Sequence, residues 1–181
     1  SRIALNYVDD LYNSGGESLN TLTYGDYLSL KGFVKGVEFV SAKKLLYLLR
    51  SKKSREEIEN HKVAADIAVK AMKAAIETIA PGVSESEVAA EAESVMRRNG
   101  AEIAFKTIVA SGKNSADPHH NTSRDKLIKD GELVIVDLGA RYKMQCSDMT
   151  WTVFVGKNPP KKAVKMFEAV LKAKTSAISK I

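Results

Sequence analysis

The chain has 181 residues, of which 44% are hydrophobic and 28% are charged. These fractions are those of an ordinary globular domain, so they exclude an intrinsically disordered, collagen-like or mucin-like protein. No window approaches the roughly 18 uninterrupted apolar residues of a membrane helix, and the N-terminus carries no basic-then-apolar signal sequence. The sequence therefore predicts a cytoplasmic protein that does not bind membranes.

The net charge is +6, from 28 Lys and Arg against 22 Asp and Glu. The positive residues are spread along the chain without interleaved aromatic residues, which is typical of a solvated surface and argues against nucleic acid as a partner. A single cysteine, Cys146, excludes an internal disulfide framework and a cysteine-based zinc site. We expect Cys146 to pack within a strand rather than to act as a nucleophile.

The first part of the chain alternates short apolar runs with amphipathic stretches. Residues 2–8 and 37–40 predict strands, and residues 24–34 and 42–49 predict helices, which gives a βαβα order. The first strand has no loop or cap before it, as expected for a sequence that begins inside a larger sheet.

A polar run separates this part from the rest, and Ser54 followed by Glu57 matches a capping box. We therefore divide the chain into domains 1–53 and 54–181. Helical periodicity then predicts one helix over 55–79. His61 lies inside that helix, where a lone histidine is a surface or packing residue far more often than a ligand.

The second half of the chain changes from helical to strand periodicity. Ser84 predicts the N-cap of another helix, and Asn99-Gly100 predicts its end. The strands predicted after Gly100 cover 103–110, 132–141 and 145–155, and a turn-rich polar stretch, 111–131, lies between the first two. A final helix over 163–181 has no stop signal, which indicates that the natural sequence continues.

Two aspartates lie within the predicted strands 132–141 and 145–155. Asp137 follows a buried apolar run, where a carboxylate is costly unless it is paired or coordinates something. Asp148 lies eleven residues further on, and the polar segment 141–145 at the midpoint predicts a hairpin turn. In that hairpin the aspartates would be direct cross-strand partners, with Cβ atoms about 4.5–5.5 Å apart. The structural alternative is that one aspartate ends the strand while Ser147 and Thr150 hydrogen-bond the other.

Two neighbouring histidines, His119 and His120, lie in the polar loop before this hairpin. Imidazoles and carboxylates together are the ligands favoured by divalent transition metals such as Mn²⁺, Co²⁺, Fe²⁺ or Zn²⁺. A cation would also relieve the repulsion between two carboxylates. The histidines therefore favour a metal site over the structural alternative.

Three motifs around these residues occur in the same order as the signatures of a known family: SGKNSADPHH, DGELVIVDLGARY and CSDMTWT. The sequence resembles the pita-bread (creatinase/aminopeptidase) metallopeptidases over residues 42–181, most closely the Xaa-Pro dipeptidases (prolidases) and aminopeptidase P. The resemblance implies an α+β fold. Domain 1–53 would be the C-terminal part of a creatinase-type N-terminal α/β domain, and domain 54–181 the first half of a pita-bread catalytic domain.

The resemblance also implies roles for the site residues. Asp137 and Asp148 would bind a pair of divalent metal ions, Mn²⁺ or Co²⁺ first and Zn²⁺ or Fe²⁺ as alternatives. A loop histidine would contact the substrate near the scissile bond. The Pro-His pairing favours His119 and the interval to Asp137 favours His120; we take His119 as the first choice. Trp151 stands where the family has arginine, next to the ligands rather than among them.

The implied activity is hydrolysis of the bond before proline in a peptide or dipeptide. The family's other ligands, one histidine and two glutamates, have no counterpart after Asp148, so this chain is expected to be inactive by itself. A creatinase-like hydrolase and a non-catalytic pita-bread binding protein are the alternatives, although both would usually lose the two aspartates. The uncovered sheet edge of a half domain is a template for association, so we expect a homodimer.

Overall fold

The structure is a computed structural model that describes residues 2–5 and 22–181. The chain divides into two compact units, Ser1–Ser54 and Arg55–Ile181. None of the helices in the described ranges combines the length and the apolar run that crossing a bilayer requires.

The first unit has the predicted βαβα order over the residues described. Strands β1 (Arg2–Leu5) and β2 (Glu38–Ser41) are parallel neighbours, as a crossover connection requires. Helix α1 (Tyr24–Phe33) lies between them in sequence, and α2 (Lys43–Ser51) follows β2. The predicted extension of the first strand over residues 6–8 lies outside the described residues.

Two helices open the second unit, and both are where the sequence predicts them. Helix α3 covers Arg55–Thr78 and α4 covers Glu85–Arg98. Ser84 and Glu87 form a capping box, in which each side chain bonds the other residue's backbone N–H. The helices bury mainly small side chains, which allow their axes to approach closely. These are Ala64, Ala68, Ala71 and Ala75 of α3 and Ala89 and Ala92 of α4.

The strands of this unit are shorter than predicted and form two three-stranded antiparallel sheets. One has the order β4 (Ile108–Ser111), β5 (Leu133–Leu138), β8 (Met149–Phe154), and the other has the order β3 (Glu102–Ile103), β6 (Ala140–Tyr142), β7 (Gln145–Cys146). Each of the three long strands predicted from the sequence is therefore split in two, because the chain passes from one sheet to the other.

Gly139 marks the split between β5 and β6. Its carbonyl accepts a hydrogen bond from Ala104 N–H at 2.8 Å. A Cβ at this position would lie 2.6 Å from Cε1 of Phe105 and 3.1 Å from Cβ of Ala104, and it would also collide with the carbonyl of Ser147. Only glycine allows the two sheets to meet here.

We expect Gly139→Ala to lower the free energy of unfolding by about 1–3 kcal/mol, because the added methyl overpacks a rigid junction. The matched control is Gly32→Ala in α1, where an added Cβ meets no heavy atom within 4 Å. Urea titrations followed by circular dichroism measure both changes. Equal stability of Gly139→Ala and the unmutated chain would show that the junction accommodates the added methyl without loss of free energy of unfolding.

The two faces of the β4-β5-β8 sheet have different neighbours. Val134, Val136 and Leu138 of β5 are buried in a core shared with α3 and α4. The alternate residues Leu133 and Ile135 line an open apolar groove of 470 Å³ on the other face. The predicted last helix, α5 (Lys161–Ile178), supplies another part of the groove wall. These wall residues are Ala163, Val164, Met166, Phe167 and Val170.

Candidate active site

Asp137 lies near the end of the central strand β5. In the register its neighbours are Ile108 on β4 and Thr150 on β8. The side chain is half-buried, and its Oδ1 accepts a hydrogen bond from the Thr150 hydroxyl at 2.7 Å. By strand alternation it shares the face of Leu133 and Ile135, away from α3 and α4. The carboxylate thus has one oxygen held by a neighbour and stands on the open side of the sheet.

Asp148 is exposed and lies between β7 and β8. The predicted direct pairing of Asp137 with Asp148 is wrong, because Thr150 occupies the position opposite Asp137. Counting back from Thr150 places Asp148 opposite Gly139. In a regular antiparallel ladder this makes Asp148 a diagonal neighbour of Asp137 on the same face, about 7–8 Å away. The partner of Asp137 is thus two residues away from the predicted one. A register difference of two residues keeps the two side chains on the same face of a regular ladder, whereas a difference of one would place them on opposite faces.

The error comes from the turn. The hairpin tip is Lys143-Met144, and both residues have positive φ, 44° and 68°. Two-residue turns of this kind usually contain Asn or Gly, which adopt positive φ without strain. Neither is present here, so the sequence carries no local signal for the tip, and the predicted turn over 141–145 includes residues that form β6 and β7.

The residues before Asp148 attach the hairpin to α3. The Ser147 hydroxyl donates to the Ala64 carbonyl at 3.1 Å and accepts from Ala140 N–H at 3.0 Å. His61 Nδ1 lies 3.2 Å from the Cys146 carbonyl, so its interpretation as a packing residue is confirmed. Cys146 itself is exposed, and its predicted packing role is wrong. The structural alternative predicts that Ser147 and Thr150 both hydrogen-bond an aspartate. Thr150 does so, whereas Ser147 hydrogen-bonds backbone groups.

The structure distinguishes the two loop histidines. Nε2 of His120 lies 2.8 Å from Oε2 of Glu85, and the His120 side chain is only 15% exposed. His119 is exposed, and its backbone N–H donates to Oδ1 of Asp117 at 2.9 Å. Within residues 22–181 no group hydrogen-bonds the His119 imidazole. His119 is therefore the histidine whose ring is available to a ligand.

Glu85 is a residue of this site that the sequence analysis missed. It is the first residue of α4, and its side chain is completely buried. Oε1 accepts from Ser111 N–H at 2.8 Å, from the Ser111 hydroxyl at 2.9 Å and from the Asn114 amide at 3.0 Å, and Oε2 accepts from Ser123 N–H at 3.0 Å. An acidic residue in a first helical turn normally indicates only a favourable charge on the helix dipole, so no sequence signal separates this glutamate from others.

Two opposing effects act on the Glu85 carboxylate. Burial raises its pKa. The hydrogen bonds from His120, Ser111, Asn114 and Ser123 lower the pKa, and their combined effect is larger than that of burial, so the pKa lies below the ordinary value. The carboxylate is therefore ionised at neutral pH.

The histidine loop is also fastened to the sheet beside Asp137. The Thr122 hydroxyl accepts from Val109 N–H at 2.8 Å and donates to the Thr107 carbonyl at 3.0 Å. Between these two residues lies Ile108, the direct strand partner of Asp137. The loop that carries His119 is thus attached at the strand position next to the aspartate.

Comparison with known proteins assigns the chain to a family. Residues 59–181 match the model of metallopeptidase family M24. The chain belongs to metallopeptidase family M24. The resemblance inferred from the three motifs is confirmed, and so is the α+β pita-bread fold class.

Relatives and solved structures of the M24 family extend the match beyond the motifs. The chain is 42% identical over 177 residues to an Xaa-Pro dipeptidase of Pyrococcus horikoshii, covering 94% of this chain and 50% of the relative. It superposes on the prolidase from Pyrococcus furiosus with a TM-score of 0.79 and 44% identity, over 86% of this chain and 46% of that one. For the X-Pro aminopeptidase from Thermotoga maritima the TM-score is 0.77 and the identity 30%, over 96% and 46%. The chain therefore spans about half the length of the relatives it matches.

M24 is a family of metallopeptidases, and the described residues fit part of a metal site. Asp137 and Asp148 offer carboxylate oxygens, the donors that hard divalent ions accept, and in a regular ladder they would be diagonal neighbours. No group of three or more His, Cys, Asp or Glu side chains suited to a metal occurs in the described part of the chain. The two aspartates are candidate ligands only, and two carboxylates are fewer than a complete shell.

Proposed function

We propose that this chain is part of a longer polypeptide, the full-length protein, that hydrolyses the peptide bond before proline with the help of divalent metal ions. The observation that carries the proposal is the position of Asp137 on β5 and of Asp148 directly before β8, the strand that pairs with β5, in an M24 sequence. Relatives named Xaa-Pro dipeptidase support the substrate class. Retention of both carboxylates disfavours a creatinase-like hydrolase or a non-catalytic binding protein.

In this proposal the two aspartates hold the metal ions, with Mn²⁺ or Co²⁺ as the first expectation. The ions would supply Lewis-acid polarisation of the scissile carbonyl and activation of water at neutral pH. Thr150 restrains Asp137 through its hydroxyl, and outer hydrogen bonds of this kind orient a ligand. Ser147 restrains the backbone beside Asp148.

His119 contacts the substrate. Its exposed ring has no hydrogen-bond partner in the described residues and can donate to the carbonyl oxygen as negative charge develops there. His120, the second candidate, is already occupied by Glu85. Domain 1–53 is proposed as the end of a creatinase-type N-terminal domain, and domain 54–181 as the first half of the catalytic domain. The full-length protein is proposed to be a cytoplasmic homodimer.

The test is a substrate series with the full-length protein. Xaa-Pro dipeptides, Xaa-Pro tripeptides and matched Xaa-Ala peptides are incubated with Mn²⁺, with Co²⁺ and with a chelator. Metal-dependent cleavage before proline, with Xaa-Ala resistant, supports the proposal. Cleavage of dipeptides alone identifies a dipeptidase, and cleavage of tripeptides identifies an aminopeptidase. Absence of cleavage with every metal overturns the proposed function.

The 181-residue chain by itself is expected to be inactive and to bind Mn²⁺ more weakly than micromolar. Hard divalent ions take about six ligands, and two carboxylates leave most of these positions to water. Calorimetric titration and a dipeptide assay measure both properties, and light scattering reports whether the chain dimerises, as an uncovered sheet edge predicts. Tight Mn²⁺ binding by a monomer would contradict this expectation.

A further inference from the structure

The contact between Glu85 and His120 has one hydrogen-bond arrangement. An ionised carboxylate only accepts, so Nε2 of His120 carries the proton that faces Oε2 at 2.8 Å. The other bonds of Glu85 come from Ser111, Asn114 and Ser123, all of which act as donors. Rotating the imidazole away would leave a buried carboxylate oxygen with one donor fewer, which is unfavourable. The His120 ring is therefore fixed.

The backbone on both sides of His119 is fixed as well. Asp117 accepts from His119 N–H through Oδ1 at 2.9 Å and from His120 N–H through its carbonyl at 3.3 Å. On the other side the His120 side chain is held by Glu85. The direction in which the free His119 ring leaves the backbone is thus determined by these anchors, since within the described ranges the ring has no partner.

The element that carries Glu85 is itself rigid. The capping box of Ser84 and Glu87 closes the first turn of α4. Ser86 N–H donates to the Ser123 carbonyl at 3.2 Å, which ties the same turn to the loop a second time. A site residue holds its geometry best when its supports stand on a helix or strand whose own contacts are satisfied. The first turn of α4 meets that condition.

We propose that Glu85 and His120 are a pair of positioning residues that set the direction of the His119 imidazole toward the substrate. The inference rests on the proposed function, which gives His119 its role. Neither member of the pair touches the substrate; both act through the backbone of the loop. Displacing a reacting group by about 1 Å can lower the rate about 100-fold, so the pair matters for catalysis as well as for stability.

The test uses the full-length protein with Mn²⁺ and an Xaa-Pro dipeptide. His120→Ala is expected to lower kcat about 10- to 100-fold while KM and the Mn²⁺ content stay unchanged. His120→Gln is expected to restore most of kcat, because the glutamine amide reaches Glu85 from the position of Nε2. Asn121→Ala is the control: it removes an exposed bond to Lys106 in the same loop, and kcat should not change.

Measuring the effect of His120→Ala again in the His119→Ala variant separates a positioning role from a general structural role. If His120 acts through His119, adding His120→Ala to His119→Ala lowers kcat no further. An equal loss in both backgrounds, or a change in KM alone, overturns the inference. If His120→Ala does not fold, His120→Gln is compared with His120→Asn, whose shorter amide does not reach Glu85; equal kcat values then overturn it. Lack of cleavage by the unmutated protein is a failure of the proposed function instead.

Discussion

Asp148→Asn in the full-length protein is expected to lower the rate of hydrolysis of an Xaa-Pro dipeptide at least about 100-fold. Loss of a residue that only hydrogen-bonds a metal ligand usually lowers activity about 10- to 100-fold, and loss of a ligand should cost more. The change removes one negative charge from the metal site. The side chain is exposed and belongs to no core contact, so the melting temperature of the metal-free protein should stay the same or rise as repulsion from Asp137 is relieved. Turnover, bound Mn²⁺ and thermal unfolding are measured on the same preparation.

The control for this variant is Asp66→Asn, which makes the same chemical change at an exposed position of α3. It should keep full activity and full Mn²⁺ content. If Asp148→Asn also keeps both, Asp148 is not a metal ligand, and the assignment of the hairpin as a metal site is wrong.

Glu85→Ala is expected to lower the free energy of unfolding by about 3–5 kcal/mol, as for other buried charge pairs that lose one partner. The change leaves His120, Ser111, Asn114 and Ser123 without their shared acceptor. Denaturant titration measures the loss. Glu77→Ala, at an exposed position of α3, is the control and should change stability by less than about 0.5 kcal/mol. Equal effects of the two substitutions would show that the buried network contributes nothing.

The same glutamate predicts a pH dependence. Because the pKa of Glu85 is lower in the folded protein than its ordinary value of 4.5, its contribution to stability is complete above that pH and is lost as the pH falls through the folded value. Glu85→Gln should therefore show a shallower loss of stability on acidification. The pKa values of Glu87 and Glu132 are also lowered, so part of the slope should remain in the variant.

The helices could be predicted from the sequence because their signals are local. Ser84 and Glu87 form the expected capping box, and α3 ends where Pro81-Gly82 requires. The strands were predicted in the right regions but too long, since the close approach at Gly139 depends on Phe105 and Ala104, which are distant in sequence. Periodicity detects burial along one element and does not detect a crossing between two sheets.

The candidate site was predicted in part for the same reason. Asp137 stands at the end of an apolar run that the sequence makes obvious, but its partner depends on a turn of Lys143 and Met144 that no turn preference would select. The choice between His119 and His120 depends on Glu85, which is 35 residues from His120 and resembles any acidic residue of a first helical turn. Contacts between residues so far apart in the sequence can be identified only once the fold is known.

The most direct test of the central claim, that Asp137 and Asp148 together hold the ions needed for cleavage before proline, is anomalous X-ray scattering from crystals of the full-length protein grown with Mn²⁺. The account predicts anomalous peaks about 2.0–2.6 Å from carboxylate oxygens of both aspartates. It also predicts that His119, and not His120, lies nearest to a bound Xaa-Pro ligand. Manganese peaks remote from Asp137 and Asp148 in a catalytically active crystal would contradict the account.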